Sequence, residues 1–255
     1  MSVLLRRRTK RYDRVAAALN LFDSVVPGAA SACARLALRN ERLPLRCDAV
    51  TPLAFGAGDT VFQLRGDGEP VACKVERRSL GRPTSDLFAL ARWRADAFQQ
   101  ILQDYAEVRD VFPSARFLVA HGPMFGVRAV VTIQTFVAGP WRDILRDVDT
   151  EEIRGLVAHR PRLRAQITGF LRRTIAAWER GEWIVDLGSD NLVLAGEGDT
   201  ARLVYLDVEM KEVRSLRGSV RETMYETLVE RMRAVLNSLA APPGYEPLTI
   251  PAPTS

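Results

Sequence analysis

The chain has 255 residues, of which 47% are hydrophobic, and this size suits one domain of two lobes or two small domains. No apolar run approaches the ~18 residues of a membrane helix, and the N-terminal apolar residues precede the arginines, so we expect neither a membrane span nor export. Three cysteines without a Cys-x-x-Cys pair argue against zinc and indicate a reducing, cytoplasmic environment. The net charge is +5, but the chain has no basic stretch interleaved with aromatic residues, so we do not expect nucleic-acid binding.

The first part of the chain, residues 1–47, is predicted to be a helical extension. Arg11–Phe22 and Ala29–Leu38 carry apolar residues at helical spacing, and Pro27-Gly28 separates them. The basic segment Arg6–Arg14 is interpreted as a solvated helix face, with a peripheral contact to a membrane surface or a partner as the alternative.

From residue 48 the pattern changes to strands, and we assign residues 48–138 to a small lobe. Glycine-rich turns at 56–58 and 66–68 separate three short β-patterns, and a long helical pattern and two more strands follow. The predicted elements are strands Val50–Phe55, Thr60–Leu64 and Pro70–Val75, helix Thr84–Arg109, and strands Arg116–Ala120 and Val127–Phe136.

The region 139–240 is predicted to be a second, mainly helical lobe. An amphipathic helix ends near Gly181, and a hairpin joins Asn191–Leu194 to Arg202–Leu206. A last helix runs from Ser219 to about Leu239, and residues 241–255 form a Pro-rich tail.

Four segments carry the residue types that phosphoryl transfer needs. Glycines allow backbone to approach phosphates, a lysine neutralises them, a carboxylate orients the attacking hydroxyl, and further oxygen ligands hold Mg²⁺. In chain order these are Gly56 and Gly58, Lys74 in Val-Ala-Cys-Lys, Asp186 and Asn191 in Asp-Leu-Gly-Ser-Asp-Asn, and Asp207 after an apolar run. Lysine stands out at position 74 because almost every other basic residue is arginine.

In this order the segments resemble the protein-kinase-like superfamily over about residues 50–209. The resemblance implies an α+β, two-lobed protein-kinase-like fold, with an N-terminal helical extension, an antiparallel β small lobe and a reduced, mainly helical large lobe. It implies ATP and Mg²⁺ as cofactors, Asp186 and Lys74 as catalytic groups, and Asn191 and Asp207 as metal ligands. The implied nucleotide-binding residues are Gly56, Gly58, Thr60, Lys74, Asp96, Thr135 and Val137, the last two in a hinge segment whose backbone would meet adenine.

In the small lobe the sequence departs from the family pattern at two places. Val61 replaces the third glycine of the loop. The glutamate that pairs with the strand lysine is also missing, because the long helix offers no glutamate before Glu107. Asp96 is the best-placed acid, with Asp104 as the alternative.

The catalytic segment departs from the pattern as well. Ile184 and Val185 precede the aspartate where protein kinases have His-Arg, and Gly188 stands where they usually have lysine. One positive charge near the transferred phosphoryl group is therefore missing. Asp190 and Glu209 are nearby acids, interpreted as structural rather than as metal ligands.

The short stretch after Asp207 lacks Ala-Pro-Glu and room for both an activation segment and a peptide-docking subdomain, so we do not expect a conventional protein kinase. The leading hypothesis is a bacterial, cytoplasmic kinase-like phosphotransferase that transfers the γ-phosphoryl of ATP to a small-molecule, sugar or protein hydroxyl. It resembles compact bacterial kinases such as those that phosphorylate lipopolysaccharide core sugars. The alternatives are a pseudokinase that binds nucleotide or a partner, and a kinase-like enzyme that transfers AMP.

Overall fold

The computed structural model describes residues 49–55, 59–65, 68–79, 82–121 and 128–240, which divide into two compact units. The first unit contains the described residues up to Gln103 together with Phe112–Gly139. The second contains Asp104–Val111 and the residues from Pro140 onward. The predicted N-terminal extension, glycines 56 and 58 and the Pro-rich tail lie outside the described residues.

The first unit is built on a five-stranded antiparallel sheet with strand order β1-β2-β3-β5-β4. Its strands are β1 (Ala49–Phe55), β2 (Asp59–Arg65), β3 (Val71–Glu76), β4 (Ala115–His121) and β5 (Arg128–Thr135). Each lies within one residue of its predicted ends, since the glycine turns and the β-branched and aromatic residues mark them locally.

The two faces of this sheet pack differently because successive side chains of a strand point to opposite sides. One face carries a cluster of Phe62, Leu64, Cys73, Val131 and Ile133. Helix α1 (Thr84–Asp104) covers the opposite face, and its Leu87 and Ala91 pack with Val130. The rings of Phe98 and Phe117 add a contact with centroids 5.9 Å apart. Helix α1 is thereby attached to the sheet that contains β3.

Helix α1 ends at Asp104, five residues before its predicted end at Arg109. A 3-10 turn over Ala106–Val111 follows, with Val108 at φ −130°, outside helical geometry. Val108 and Val111 are buried and belong to the second unit. Tertiary burial of these valines therefore overrides the local helical pattern.

The second unit combines four helices with five short strands among the described residues. Strands β6 (Trp141–Asp143), β8 (Leu192–Ala195) and β9 (Arg202–Tyr205) form one sheet, and β7 (Trp183–Val185) pairs with β10 (Met210–Glu212). The helices are α2 (Thr150–Val157), α3 (Pro161–Arg180), α4 (Val213–Leu216) and α5 (Glu222–Ala240). Together with the sheet of the first unit, this arrangement confirms the predicted α+β fold class, with one unit built on an antiparallel sheet and a second, mainly helical unit.

The predicted ends of the helices in this unit agree with the structure in one case and differ in another. Pro161 occupies the first turn of α3. Gly181 ends this helix with φ 69°, at the position where the sequence predicted its end. Helix α5 begins three residues later than predicted, at Glu222, whose carboxylate accepts a hydrogen bond from the Gly218 N–H at 2.6 Å. Among the described helices, none combines the length and apolar character needed to span a bilayer.

Aromatic rings join α3 to the segments that surround the loop of Asp186 and Asn191. Phe170 packs against Tyr105 and Tyr205, with ring centroids 5.1 and 6.1 Å away. Trp178, one turn before the end of the helix, stacks on Tyr225 of α5 at 6.0 Å and an interplanar angle of 10°. Buried rings have few alternative rotamers, so these contacts hold β9 and α5 in fixed positions against α3.

Candidate active site

The sheet of the first unit positions the predicted phosphate-binding lysine. Lys74 is half-buried on β3, with its Cα opposite Val61 of β2 and Thr132 of β5. Thr60 is buried on β2, opposite Val75. A lysine in the middle of a paired strand has a backbone position fixed by hydrogen bonds on both sides.

The predicted hinge segment is tied to the end of the same sheet. The Thr135 N–H donates to the Ser114 carbonyl at 3.1 Å, and the two hydroxyls lie 2.9 Å apart. The next residue, Phe136, donates its N–H to the Pro70 carbonyl at 3.2 Å, and Val137 is buried. Thr135 and Val137 therefore lie on anchored backbone.

The two candidate acids for the strand lysine have different surroundings. Asp96 is exposed on α1, and Asp104 pairs with Arg173 in the second unit at 3.4 Å. Glu76 of β3 also pairs with Arg94 of α1, at 3.2 Å. Both side chains are largely buried. This ion pair links the strand to the helix, with the acid on the strand and the base on the helix.

In the second unit, Asp186, Asn191 and Asp207 lie in one cluster. The Asn191 side-chain Nδ2 donates to the Asp186 carbonyl at 3.0 Å and to Asp207 Oδ2 at 3.2 Å. The Asn191 carbonyl accepts from the Leu206 N–H at 2.7 Å, which joins the loop to the end of β9. The asparagine therefore bridges the two segments that carry the aspartates.

The carboxylate of Asp186 is held from three sides. Its Oδ1 accepts from the Tyr225 hydroxyl at 2.6 Å and from the Gly188 N–H at 3.1 Å. Its Oδ2 lies 3.0 Å from Lys211 Nζ. A carboxylate has about four acceptor directions. Three donors therefore orient the group and leave room for one more donor.

Burial and charge set the protonation of these two donors. Burial raises the pKa of Tyr225 far above its usual value, and the hydrogen bond to Asp186 raises it further, so the hydroxyl remains a donor. Burial acts to lower the pKa of Lys211. The hydrogen bond to Glu209 and the charge of Asp186 outweigh that effect and raise the pKa above its usual value.

The ion pair of Asp143 with Arg146 also supports the loop that follows Asp186. The buried Asp143 of β6 binds Arg146 at 2.7 Å and accepts from the Asp190 N–H at 2.9 Å. Arg146 donates to the Leu187 carbonyl at 2.9 Å. Asp190 has φ 60°, a left-handed conformation that aspartate tolerates better than most residues. Asp190 is thus a structural residue of the loop, as interpreted from sequence.

Sequence reasoning missed Tyr225, Lys211, Asp143 and Arg146. Only Lys211 gave a usable signal, because lysine is rare in this chain and stands two residues after Glu209, on the same side of an extended segment. The other three lie far along the chain from Asp186 and belong to no motif.

The oxygen ligands of the cluster fit a hard cation. Asp186, Asp207 and Glu209 have carboxylate oxygens that all lie within 4.8 Å of one another. The hydrogen bonds of Asn191 described above use Nδ2, which leaves the amide Oδ1 for a metal. Carboxylate and amide oxygens are the ligands that Mg²⁺ prefers. Asn191 and Asp207 therefore have suitable chemistry for the predicted metal site.

The sequence matches no protein-family model and no curated protein. Its structure is similar to the kinase domain of a Toxoplasma gondii rhoptry antigen, with 12% identity, a TM-score of 0.36 and coverage of 75% of this chain and 65% of that domain. It is also similar to the PknI kinase domain of Mycobacterium tuberculosis, with 16% identity, a TM-score of 0.30 and coverage of 63% and 59%. The chain thus spans less than two thirds of either domain. With both TM-scores below 0.5, we base the proposals that follow on the chain's own residues.

Proposed function

We propose that the protein is an ATP- and Mg²⁺-dependent phosphotransferase that transfers the γ-phosphoryl group to a hydroxyl of a small molecule, sugar or protein. The observation that carries this proposal is the cluster of Asp186, Asn191 and Asp207, in which the asparagine bridges both aspartate segments. A fixed carboxylate beside two oxygen ligands is the set of groups that phosphoryl transfer uses.

Asp186 is assigned the alignment of the acceptor hydroxyl. Tyr225, the Gly188 N–H and Lys211 occupy three acceptor directions of the carboxylate, and the fourth accepts the hydroxyl. The hydroxyl oxygen then forms a bond to the γ-phosphorus, and the bond from that phosphorus to the β–γ bridging oxygen breaks. ADP leaves with the electron pair, and the hydroxyl proton passes to Asp186. Most of the rate gain comes from this positioning.

The remaining roles follow the resemblance. Asn191 and Asp207 would hold Mg²⁺, which when bound neutralises charge on the phosphates. Lys74 is assigned to the α- and β-phosphates, and the backbone of Thr135 and Val137 to adenine. The fixed backbone of Lys74 and Thr135 in the sheet of the first unit, and of Val137 just after its last strand, supports these assignments.

The test measures ADP release from Mg-ATP with water, sugars and protein as acceptors. Asp186→Asn should lower kcat by about 10²–10⁴-fold, while the exposed Asp199→Asn, a matched change outside the cluster, should leave it unaltered. Asp207→Asn should weaken Mn²⁺ binding in calorimetry. Equal turnover by Asp186→Asn and the wild type would contradict the role assigned to Asp186.

The same assay separates the two alternative functions. Binding of ATP without turnover across all acceptors would indicate a pseudokinase module. Mass spectrometry of the products distinguishes an added phosphoryl group from an added AMP. The intact set of Lys74, Asp186, Asn191 and Asp207 favours turnover over a module that only binds.

A further inference from the structure

The ammonium of Lys211 contacts both Asp186 and Glu209. Its Nζ lies 3.0 Å from Asp186 Oδ2 and 2.6 Å from Glu209 Oε2, and 24% of the lysine side chain is exposed. The position follows from strand pairing, because β10 aligns Lys211 with Ile184 of β7. The Asp186 N–H also donates to the Glu209 carbonyl at 2.9 Å. The lysine is therefore held beside the catalytic aspartate by the backbone as well as by charge.

The loop leaves little room at Gly188 for a side chain that could supply such a cation. A Cβ atom at Gly188 would lie 3.0 Å from Asn191 Nδ2 and 3.6 Å from Asp186 Oδ1. A side chain there would press on the amide that bridges Asp186 and Asp207. Lys211 brings a positive charge to Asp186 from another segment, without this close contact.

The ammonium also occupies space that a cation would otherwise use. It binds Asp186 and Glu209, two of the three carboxylates whose oxygens lie within 4.8 Å of one another. A divalent ion between these two groups would be repelled by the ammonium at contact distance. We therefore expect a metal ion to bind on the side of the cluster formed by Asn191 and Asp207, away from the ammonium.

We propose that Lys211 is a catalytic residue, which stabilises the negative charge of the transferring phosphoryl group and takes the place of a second divalent cation. This inference rests on the proposed function. The ammonium stays protonated throughout and forms no covalent bond. Because it contacts the same carboxylate oxygen that faces the acceptor, it lies within reach of the new bond between oxygen and phosphorus. Glu209 holds it there.

The first test compares ADP release from Mg-ATP, with water as the acceptor, for Lys211→Met and Lys211→Arg. Loss of a preorganised charge should lower kcat by about 10²–10³-fold in Lys211→Met, with an unchanged KM for Mg-ATP. Lys211→Arg should recover part of the loss, because it keeps the charge. A purely structural role predicts no such rescue. Unchanged or faster turnover by a folded Lys211→Met would overturn the proposal.

The second test uses Mn²⁺ without nucleotide and does not depend on turnover. Calorimetry should show a single bound ion for the wild type and for Lys211→Arg. Lys211→Met should gain a second ion, and the double variant Lys211→Met, Glu209→Gln should lose it again. If Lys211→Met still binds a single ion, the ammonium does not replace a cation.

Failure of the proposed function can be distinguished from failure of the role proposed for Lys211. A wild type that binds Mn²⁺ and ATP but releases no ADP contradicts the proposed function. An active wild type whose kcat survives Lys211→Met contradicts the role of Lys211 alone. Thermal unfolding of each variant confirms that the comparison is between folded proteins.

Discussion

The hydroxyl of Tyr225 connects helix α5 to Asp186, the proposed catalytic aspartate, and Tyr225→Phe removes this contact alone. The residue is fully buried, and its hydroxyl donates to Asp186 Oδ1 at 2.6 Å. Hydrogen bonds to charged groups contribute about 1.5–3 kcal/mol. The stacking of the ring on Trp178 survives in phenylalanine. We therefore expect the free energy of unfolding to fall by about 2 kcal/mol, which lowers Tm by about 4–8 °C.

Turnover should fall along with stability. Without Tyr225, the carboxylate keeps only the Gly188 N–H and Lys211 as donors, and it can rotate away from the acceptor hydroxyl. We expect kcat for ADP release to drop by about 10- to 100-fold, with the KM for Mg-ATP unchanged because the phosphate-binding groups are untouched. Urea unfolding and steady-state kinetics measure the two effects separately.

Tyr205→Phe is the matched control for this change. Its hydroxyl donates to the backbone carbonyls of Asp186 and Glu209, both at 3.1 Å. Each carbonyl keeps a second donor, the Asn191 amide for one and the Asp186 N–H for the other. Its loss should cost only about 0.5–1.5 kcal/mol. Wild-type stability and turnover in Tyr225→Phe, or a larger loss in Tyr205→Phe, would refute the reasoning.

Two further predictions concern the loop and alkaline pH. Gly188→Ala brings a Cβ within 3.0 Å of Asn191 Nδ2 and should weaken Mn²⁺ binding about tenfold in calorimetry; Gly155→Ala, with nothing within 4 Å, should not. Burial raises the pKa of Tyr225, so above about pH 10 the unfolded chain loses this proton first and stability falls as pH rises. The urea concentration at the midpoint of unfolding should therefore fall less steeply between pH 8 and 11 for Tyr225→Phe than for the wild type. Equal slopes would contradict Tyr225 as the origin of this loss of stability.

The sheet of the first unit shows how much local sequence can predict. Glycine turns and β-branched residues placed all five strands to within one residue, because these signals act between neighbours in the chain. The predicted end of α1 was wrong, since burial of Val108 and Val111 in the second unit outweighs helical periodicity there. Local patterns thus predict an element well where tertiary contacts agree with them.

The candidate site divides in the same way. Asp186 and Asn191 lie within one loop, and Asp207 follows the next hairpin, so motif and spacing predicted that the three lie together, and the structure brings them together. The role of the strand lysine and its acidic partner stay predictions. The structure adds a link between β3 and α1 that the sequence did not indicate, the ion pair of Glu76 with Arg94.

The sequence by itself determined the order of the strands along the chain, the glycine end of α3 and the grouping of Asp186 and Asn191 with Asp207. Only the tertiary structure decided what holds the loop that contains Asp186 and Asn191. The Tyr225 hydroxyl reaches Asp186 across 39 residues, and Asp143 reaches the Asp190 N–H across 47. Lys211 arrives through the pairing of β10 with β7. Such contacts depend on which segments pack together, and composition and periodicity carry no information about that choice.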